Sequence, residues 1–274
     1  MTRYAFLGPA GTHSEEALLS LDVARLEPLP CATIEEVFGA VEDGRADAGI
    51  VPIENSVEGS VPATLDALAF DSTLHIQAEV VRDIHNALVV APGVKLRDVS
   101  VVTSHPQPLG QCRAWLGKKL PGRALVAANS TVEAVRRAVA EPGVAAIGTN
   151  LAAELYGGEV LASAIEDHKG NQTRFVTIGR GICPRTGHDK TSLALFIRQD
   201  KPGALLMILS EFAYGQINLT KIQSRPTKRQ LGEYMFFVDL EGHVDDPEVA
   251  LALDCLRLKL RSVKVLGSYP VAKR

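Results

Sequence analysis

The sequence predicts a mixed α/β protein of two units: a larger one of three-layer α/β type with two lobes, and a small one of βαββαβ order. Three observations carry this. Short apolar runs rich in Val, Ile and Leu alternate with amphipathic helical segments through most of the chain. The stretch Cys183-Pro184-Arg185-Thr186-Gly187-His188-Asp189 then interrupts the pattern with linker composition. Beyond it the apolar runs follow a different order, and a chain of 274 residues is long for a single core.

Taken in order, Tyr4 to Leu7 reads as a strand, and Gly8-Pro9-Ala10-Gly11-Thr12-His13-Ser14 leads from it into a helix beginning near Glu15. Such a turn either exposes backbone N–H groups to an anion or is simply tight and capped by Ser14; it lacks the lysine and spacing of a P-loop. Thr33 and Glu36 form a capping box ahead of a helical face of Ile34, Val37, Phe38 and Val41. Ala46 to Ile53 is a buried strand that delivers Glu54, Asn55 and Ser56 at its C-terminal end, where ligands sit in open α/β sheets. Ile84 to Val90 and Ser100 to Thr103 are further strands. The second ends at Ser104, with Pro106 suited to a first helical turn and Gln107 and Gln111 on one helical face. Ser130 with Glu133 makes another capping box, Val144 to Gly148 a strand, and Thr149-Asn150 a cap. Asn171-Gln172-Thr173-Arg174-Phe175 collects a hydroxyl, a cation and amides just before the apolar run that ends at Ile178. Two lobes with a cleft between them would bring these distant polar turns together.

In the small unit, Thr191 to Ile197 is a strand and Leu205, Ile208, Leu209 and Phe212 mark a helix. Ile217 to Ser224 and Glu233 to Leu240 are extended, Asp246-Pro247 opens a second helix, and Val263 to Leu266 closes the unit. This is the ferredoxin-like order. Its strands are apolar on both faces, so one face is expected to pack the helices and the other to seek a partner by self-association.

Composition sets limits. Hydrophobic content of 46% with 22% charged residues is that of a globular protein, and a net charge of −3 carries no basic footprint for nucleic acid. The four cysteines, Cys31, Cys112, Cys183 and Cys255, show no paired spacing, so no metal site is expected and reduced thiols in a cytoplasmic protein are. The apolar start Tyr4 to Leu7 is too short for a signal-peptide core, and no run is long enough to span a membrane.

Together these segments resemble the bacterial prephenate dehydratases. The marks are Gly8-Pro9-Ala10-Gly11-Thr12, Pro52-Ile53-Glu54-Asn55-Ser56 with Gly59, Ser104-His105-Pro106-Gln107 through Gln111-Cys112, and Thr173-Arg174-Phe175. The second half is similar to the family's ACT regulatory domain through Pro202-Gly203-Ala204-Leu205, Ile217-Asn218-Leu219 and Ser224-Arg225-Pro226. The chain departs from the family at His13, where Phe is usual, and at Gln223, where the motif usually opens with Glu.

The resemblance implies a periplasmic-binding-protein-like catalytic domain over 1–185, with lobes of roughly 1–76 plus 170–185 and 77–169, and an ACT domain over 190–274. It implies prephenate as substrate, converted to phenylpyruvate with loss of water and carbon dioxide, without cofactor. It places the essential hydroxyl at Thr173 and a substrate carboxylate on Arg174, with Glu54, Asn55 and Ser56 beside them. Arg174 is alternatively an ion pair with Asp167 or Glu166. Thr12, Ser104, Gln107, Gln111, Asn171 and Phe175 are the expected substrate contacts. L-phenylalanine is the expected effector, at Gly203, Ala204, Leu205, Leu206, Asn218, Leu219, Gln223, Ser224, Arg225 and Pro226, between ACT units of a homodimer or homotetramer. Arogenate dehydratase, or a two-lobed binding protein without chemistry, are the other readings of the same residues.

Overall fold

The computed structural model describes residues 1–227 and 233–272. Lys273 and Arg274, at the end of the expected second domain, lie outside the described residues. Three sheets organise the described residues. In the first, the strands Leu26–Cys31, Thr2–Leu7 and Ala48–Asn55 run parallel, followed by Gln172–Gly179 and His75–Asp83 in antiparallel pairing. In the second, the order is Glu159–Ala162, Ala87–Val90, Val144–Gly148, Val101–Ser104 and Ala124–Ala127.

Local rules place the first-lobe helices. Thr33 Oγ1 accepts from Glu36 N at 3.2 Å, which starts the helix Ile34–Glu42. Val37, Phe38 and Val41 then bury against Val51 and Ile53 of the central strand. In the second lobe Ser130 caps Thr131–Ala140 and Thr149 caps Asn150–Tyr156, each by accepting a backbone N–H. Thr149 Oγ1 also donates to Gly11 O at 2.6 Å, and Tyr156 Oη to Ala10 O at 3.0 Å, so the glycine turn of one lobe rests on a helix of the other.

The chain crosses between lobes around 84–86 and again around 163–171. The single strand expected over Ile84 to Val90 is therefore broken. Ile84 N donates to Asn171 O and Asn86 N to Glu166 Oε2, so those amides serve the crossing, and the strand begins only at Ala87. The strand His75–Asp83, most of which was expected in the second lobe, pairs along its length in the first sheet. Its alternation is blurred because one end covers the first-lobe core and the other is exposed.

The small domain has the expected βαββαβ order, with sheet order Leu219–Pro226, Tyr234–Glu241, Asp189–Phe196, Ser262–Pro270. Alternation divides its side chains. Leu193, Leu195, Val238 and Leu240 pack under the helices Ala204–Tyr214 and Pro247–Lys259. Ala194, Met235, Phe237, Leu266 and Tyr269 join the core of the first lobe instead. The face expected to seek a second copy is thus covered by the first lobe of the same chain. Gly267 marks the closest approach: a Cβ there would stand 2.8 Å from Ile76 N. The polar stretch before the domain is tied down, with His243 Nε2 2.9 Å from Cys183 O and Arg185 Nε 2.6 Å from Asp246 Oδ1. Among the described residues no helix is long and apolar enough to cross a membrane.

Candidate active site

The cleft between the lobes encloses about 290 Å³, at the lower end of small-molecule sites. Strand pairing builds one wall. Thr173 stands opposite Asn55 and Arg174 opposite Glu54 in the antiparallel pair, and neighbours along a strand point to opposite faces. Thr173, Asn55, Asn171 and Phe175 accordingly line the cleft.

Asn55 is the organising side chain. Its Nδ2 donates to Asn171 Oδ1 at 2.7 Å, Thr173 Oγ1 at 2.9 Å and Gln172 O at 3.2 Å. Its Oδ1 accepts from Val57 N at 2.9 Å and Glu58 N at 3.0 Å. These bonds orient the amide and make the buried Thr173 hydroxyl an acceptor from within the protein. No acceptor for its own proton is present among the described residues, so that proton is free for a ligand.

The opposite wall comes from the second lobe and from helix starts. Thr12 caps His13–Leu19 and lines the cleft, as do Gln107 and Gln111 from Pro106–Gln111 and Ser130 and Thr131 from the start of Thr131–Ala140. Helix N-termini present backbone N–H groups and partial positive charge, the environment an anion needs. Gln111 Nε2 also reaches Glu58 Oε1 at 3.3 Å, joining the two lobes at the rim.

Several expected contacts lie elsewhere. Ser104 is buried beneath the cleft and donates to Ile147 O at 2.7 Å. Ser56 ties two loops by accepting from Gln172 N at 2.9 Å, and does not line the cavity. The largest correction concerns Arg174 and Glu54. Strand alternation turns both away from the cleft and onto the small domain. Arg174 lies 2.8 Å from Asp239, 3.3 Å from Glu79 and 3.4 Å from Glu54. Lys221 completes Glu54 at 3.1 Å, and Lys190 completes Glu79 at 2.7 Å. Burial opposes the charge on Arg174, but Asp239, Glu79 and Glu54 outweigh it and hold the guanidinium above its ordinary range. Arg174 is the ion pair, though with carboxylates distant in sequence, and Glu54 faces cations rather than a substrate.

Asn86, Asn129, Ser130, Thr131, His13 and His105 line the cleft without having been expected there. Ser130 was legible only as a cap, and a cap carries the same residue types as an anion site. Cys112 is fully buried, and burial pushes its thiol up to about 12, so it is no nucleophile.

The expected effector residues separate into two groups. Gly203, in the left-handed region at φ +85°, and Ala204 line a cavity of about 520 Å³ with Lys201, Met207 and Lys259. Leu206 points outward. None of the residues 218–226 reaches that cavity. Gln223 Oε1 instead accepts from Ser60 Oγ at 2.6 Å, and Arg225 grips Asp66 through two bonds of 2.6 and 2.7 Å. Ser224 and Pro226, alternating with these, are exposed.

Comparison with known proteins follows this geometry. The family model for prephenate dehydratase matches residues 4–182, and that for the ACT domain matches residues 192–254. A prephenate dehydratase of Mycobacterium bovis is 41% identical over 281 residues, covering 98% of this chain and 87% of the relative. The crystal structure of prephenate dehydratase from Arthrobacter aurescens in complex with L-Phe is 39% identical with a TM-score of 0.90, over 98% of this chain and 90% of that one. A solved quorum-quenching acylase is 30% identical with a TM-score of 0.88, over 98% of both chains.

Proposed function

The chain belongs to the prephenate dehydratase family, and we propose from its cleft how it converts prephenate to phenylpyruvate. The reaction breaks the ring C–O bond and the bond to the ring carboxylate. The electron pair from the departing carbon dioxide enters the ring, which becomes aromatic. The hydroxyl leaves with one proton as water. Thr173 directs its O–H to that leaving oxygen, while Asn55 Nδ2 donates to Thr173 Oγ1 and fixes the direction. A threonine is too weak an acid to ionise near neutral pH, so the hydroxyl acts by a directed hydrogen bond or within a proton chain. Backbone N–H groups at the helix starts receive the pyruvyl carboxylate.

The observation that supports this most is the free proton of a buried Thr173 hydroxyl whose oxygen already accepts from Asn55. Phenylpyruvate formation from prephenate, followed by ultraviolet absorbance, is the test. Thr173→Ala is expected to lower kcat by roughly 10²–10³. A near-normal kcat would remove Thr173 from this role.

For regulation, we propose L-phenylalanine as the effector, as bound by the Arthrobacter aurescens protein. The Gly203 turn would take its carboxylate, and Asn218 and Leu219 would be supplied by the ACT domain of a second copy in a homodimer or homotetramer. This accounts for the separation of the two groups within one chain. Gln223 and Arg225 would carry the signal, since both hold the ACT domain to the catalytic part. Calorimetry with L-phenylalanine, alongside light scattering, tests both points; no heat, or a monomer at all concentrations, would refute them. Such a biosynthetic role fits a cytoplasmic enzyme, and the four cysteines are free.

A further inference from the structure

With Arg174 committed to the ACT interface, the cleft must meet a dianion with other groups. None of its lining residues is Lys or Arg; the side chains there able to carry positive charge are His13 and His105. Their hydrogen bonds differ in sign. His105 Nδ1 accepts from Gln107 N at 3.4 Å, a bond that protonating this nitrogen would forfeit. His13 Nδ1 lies 2.8 Å from Glu16 Oε2. A carboxylate only accepts, so this nitrogen carries the hydrogen. Nε2 of His13 has no partner among the described residues.

From this geometry we infer that His13, held by Glu16, is the cationic ligand for a substrate carboxylate in this enzyme. The inference rests on the proposed reading of the cleft as the prephenate site. His13 begins the helix His13–Leu19, one residue after its cap Thr12, so its position is set by the helix start. Glu16, three residues on, lies on the same helical face and reaches back to the ring. A carboxylate arriving at Nε2 requires an N–H there, so substrate binding draws on the protonated ring.

The other charged groups around this helix are engaged elsewhere. Glu15 accepts from Gly11 N at 2.5 Å. On the strands beneath, Arg3 pairs with Glu27, and Glu54 faces Arg174 and Lys221. At the rim Glu58 of the first lobe is met by Gln111 of the second, and across the cleft Glu133 accepts from Asn129 N at 3.1 Å. The Nε2 of His13 is left open to the ligand. At this position the family resemblance expects a Phe, which offers no donor, so the feature belongs to this chain.

The test is steady-state kinetics with prephenate, with calorimetric binding, on the wild type and on His13→Gln, His13→Phe and Glu16→Gln. His13 is partly exposed, so these variants are expected to fold. A charge-assisted hydrogen bond lost from the ligand should raise KM about tenfold or more in both His13 variants, with kcat within a few-fold of wild type. Glu16→Gln should raise KM less. An unchanged KM and Kd in an otherwise active His13→Phe enzyme would overturn the inference and leave the dehydratase reading intact. A wild type that makes no phenylpyruvate would overturn both.

Discussion

Asp239→Asn is the sharpest probe of the link between the domains. The interface holds Arg174, Lys190 and Lys221 against Glu54, Glu79 and Asp239, so its formal charges balance. Replacing Asp239 by its neutral isostere leaves one cation without a counterpart in a largely buried site, where the Arg174 side chain is 12% exposed. At the observed 2.8 Å the gross attraction is about 6 kcal/mol with an effective dielectric constant of about 20. Glu79 and Glu54 retain part of the hold at 3.3 and 3.4 Å, and the unfolded chain regains hydration. Removing one partner of such a buried pair typically costs 3–5 kcal/mol, and the remaining carboxylates place this variant near the lower end, about 3 kcal/mol. For a chain of this size that is a fall in Tm of roughly 6–12 °C, readable by calorimetry. Arg174→Lys should likewise lower Tm, because a lysine cannot serve three carboxylates in a fork, while leaving KM for prephenate within about twofold. A normal Tm for Asp239→Asn, or an Arg174→Lys enzyme with a raised KM and an unchanged Tm, would refute this account and return Arg174 to the substrate.

Gly267→Ala should destabilise by about 2–3 kcal/mol or part the two domains, because its methyl group meets the rigid backbone of Ile76; unfolding or limited proteolysis reads this. Cys112 should resist thiol reagents at pH 8 in the native enzyme and react only after denaturation, since burial pushes its thiol up to about 12; mass spectrometry of labelled peptides checks this. Acid should destabilise the protein in two steps. Burial, with Lys264 nearby, lowers the His75 pKa, so the unfolded chain takes up a proton first and stability declines below about pH 6.5. Burial opposes the charge on Glu166 and Asp189, but the hydrogen bonds together outweigh it and lower both pKa values, from Asn86 N–H and His85 for Glu166 and from Thr186 and Gly187 for Asp189. Their contributions are complete above the unfolded carboxylate range and disappear as pH falls through the lowered values. His75→Gln should flatten the first step in pH-dependent denaturant unfolding and leave the second.

Much of the architecture was legible in the order of residues. Capping boxes at Thr33 and Ser130 and the cap at Thr149 are local chemistry, so they fixed helix starts without help from the fold. The βαββαβ order was readable from the apolar runs, and the family resemblance, added to polar turns that could equally have been caps, brought Asn55, Thr173 and Gln107 to one cleft, where the structure has them. The strand His75–Asp83 was not, since its burial changes along its length. Neither was the cover of the ACT sheet. A two-sided apolar strand states that both faces are buried, and only the assembled chain shows that Ala194, Met235 and Phe237 meet the first lobe. Thr173 and Arg174 show the same boundary most plainly. In the sequence, Asn171 to Phe175 is a polar stretch ahead of a strand, with both side chains given to the substrate; in the structure the strand begins at Gln172, and adjacent residues on a strand must point to opposite faces, so one cleft cannot take both. Which of the two faced the substrate depended on where distant carboxylates, Glu79 and Asp239, came to rest. Charge pairing acts through space, and that distance exists only once the chain is folded.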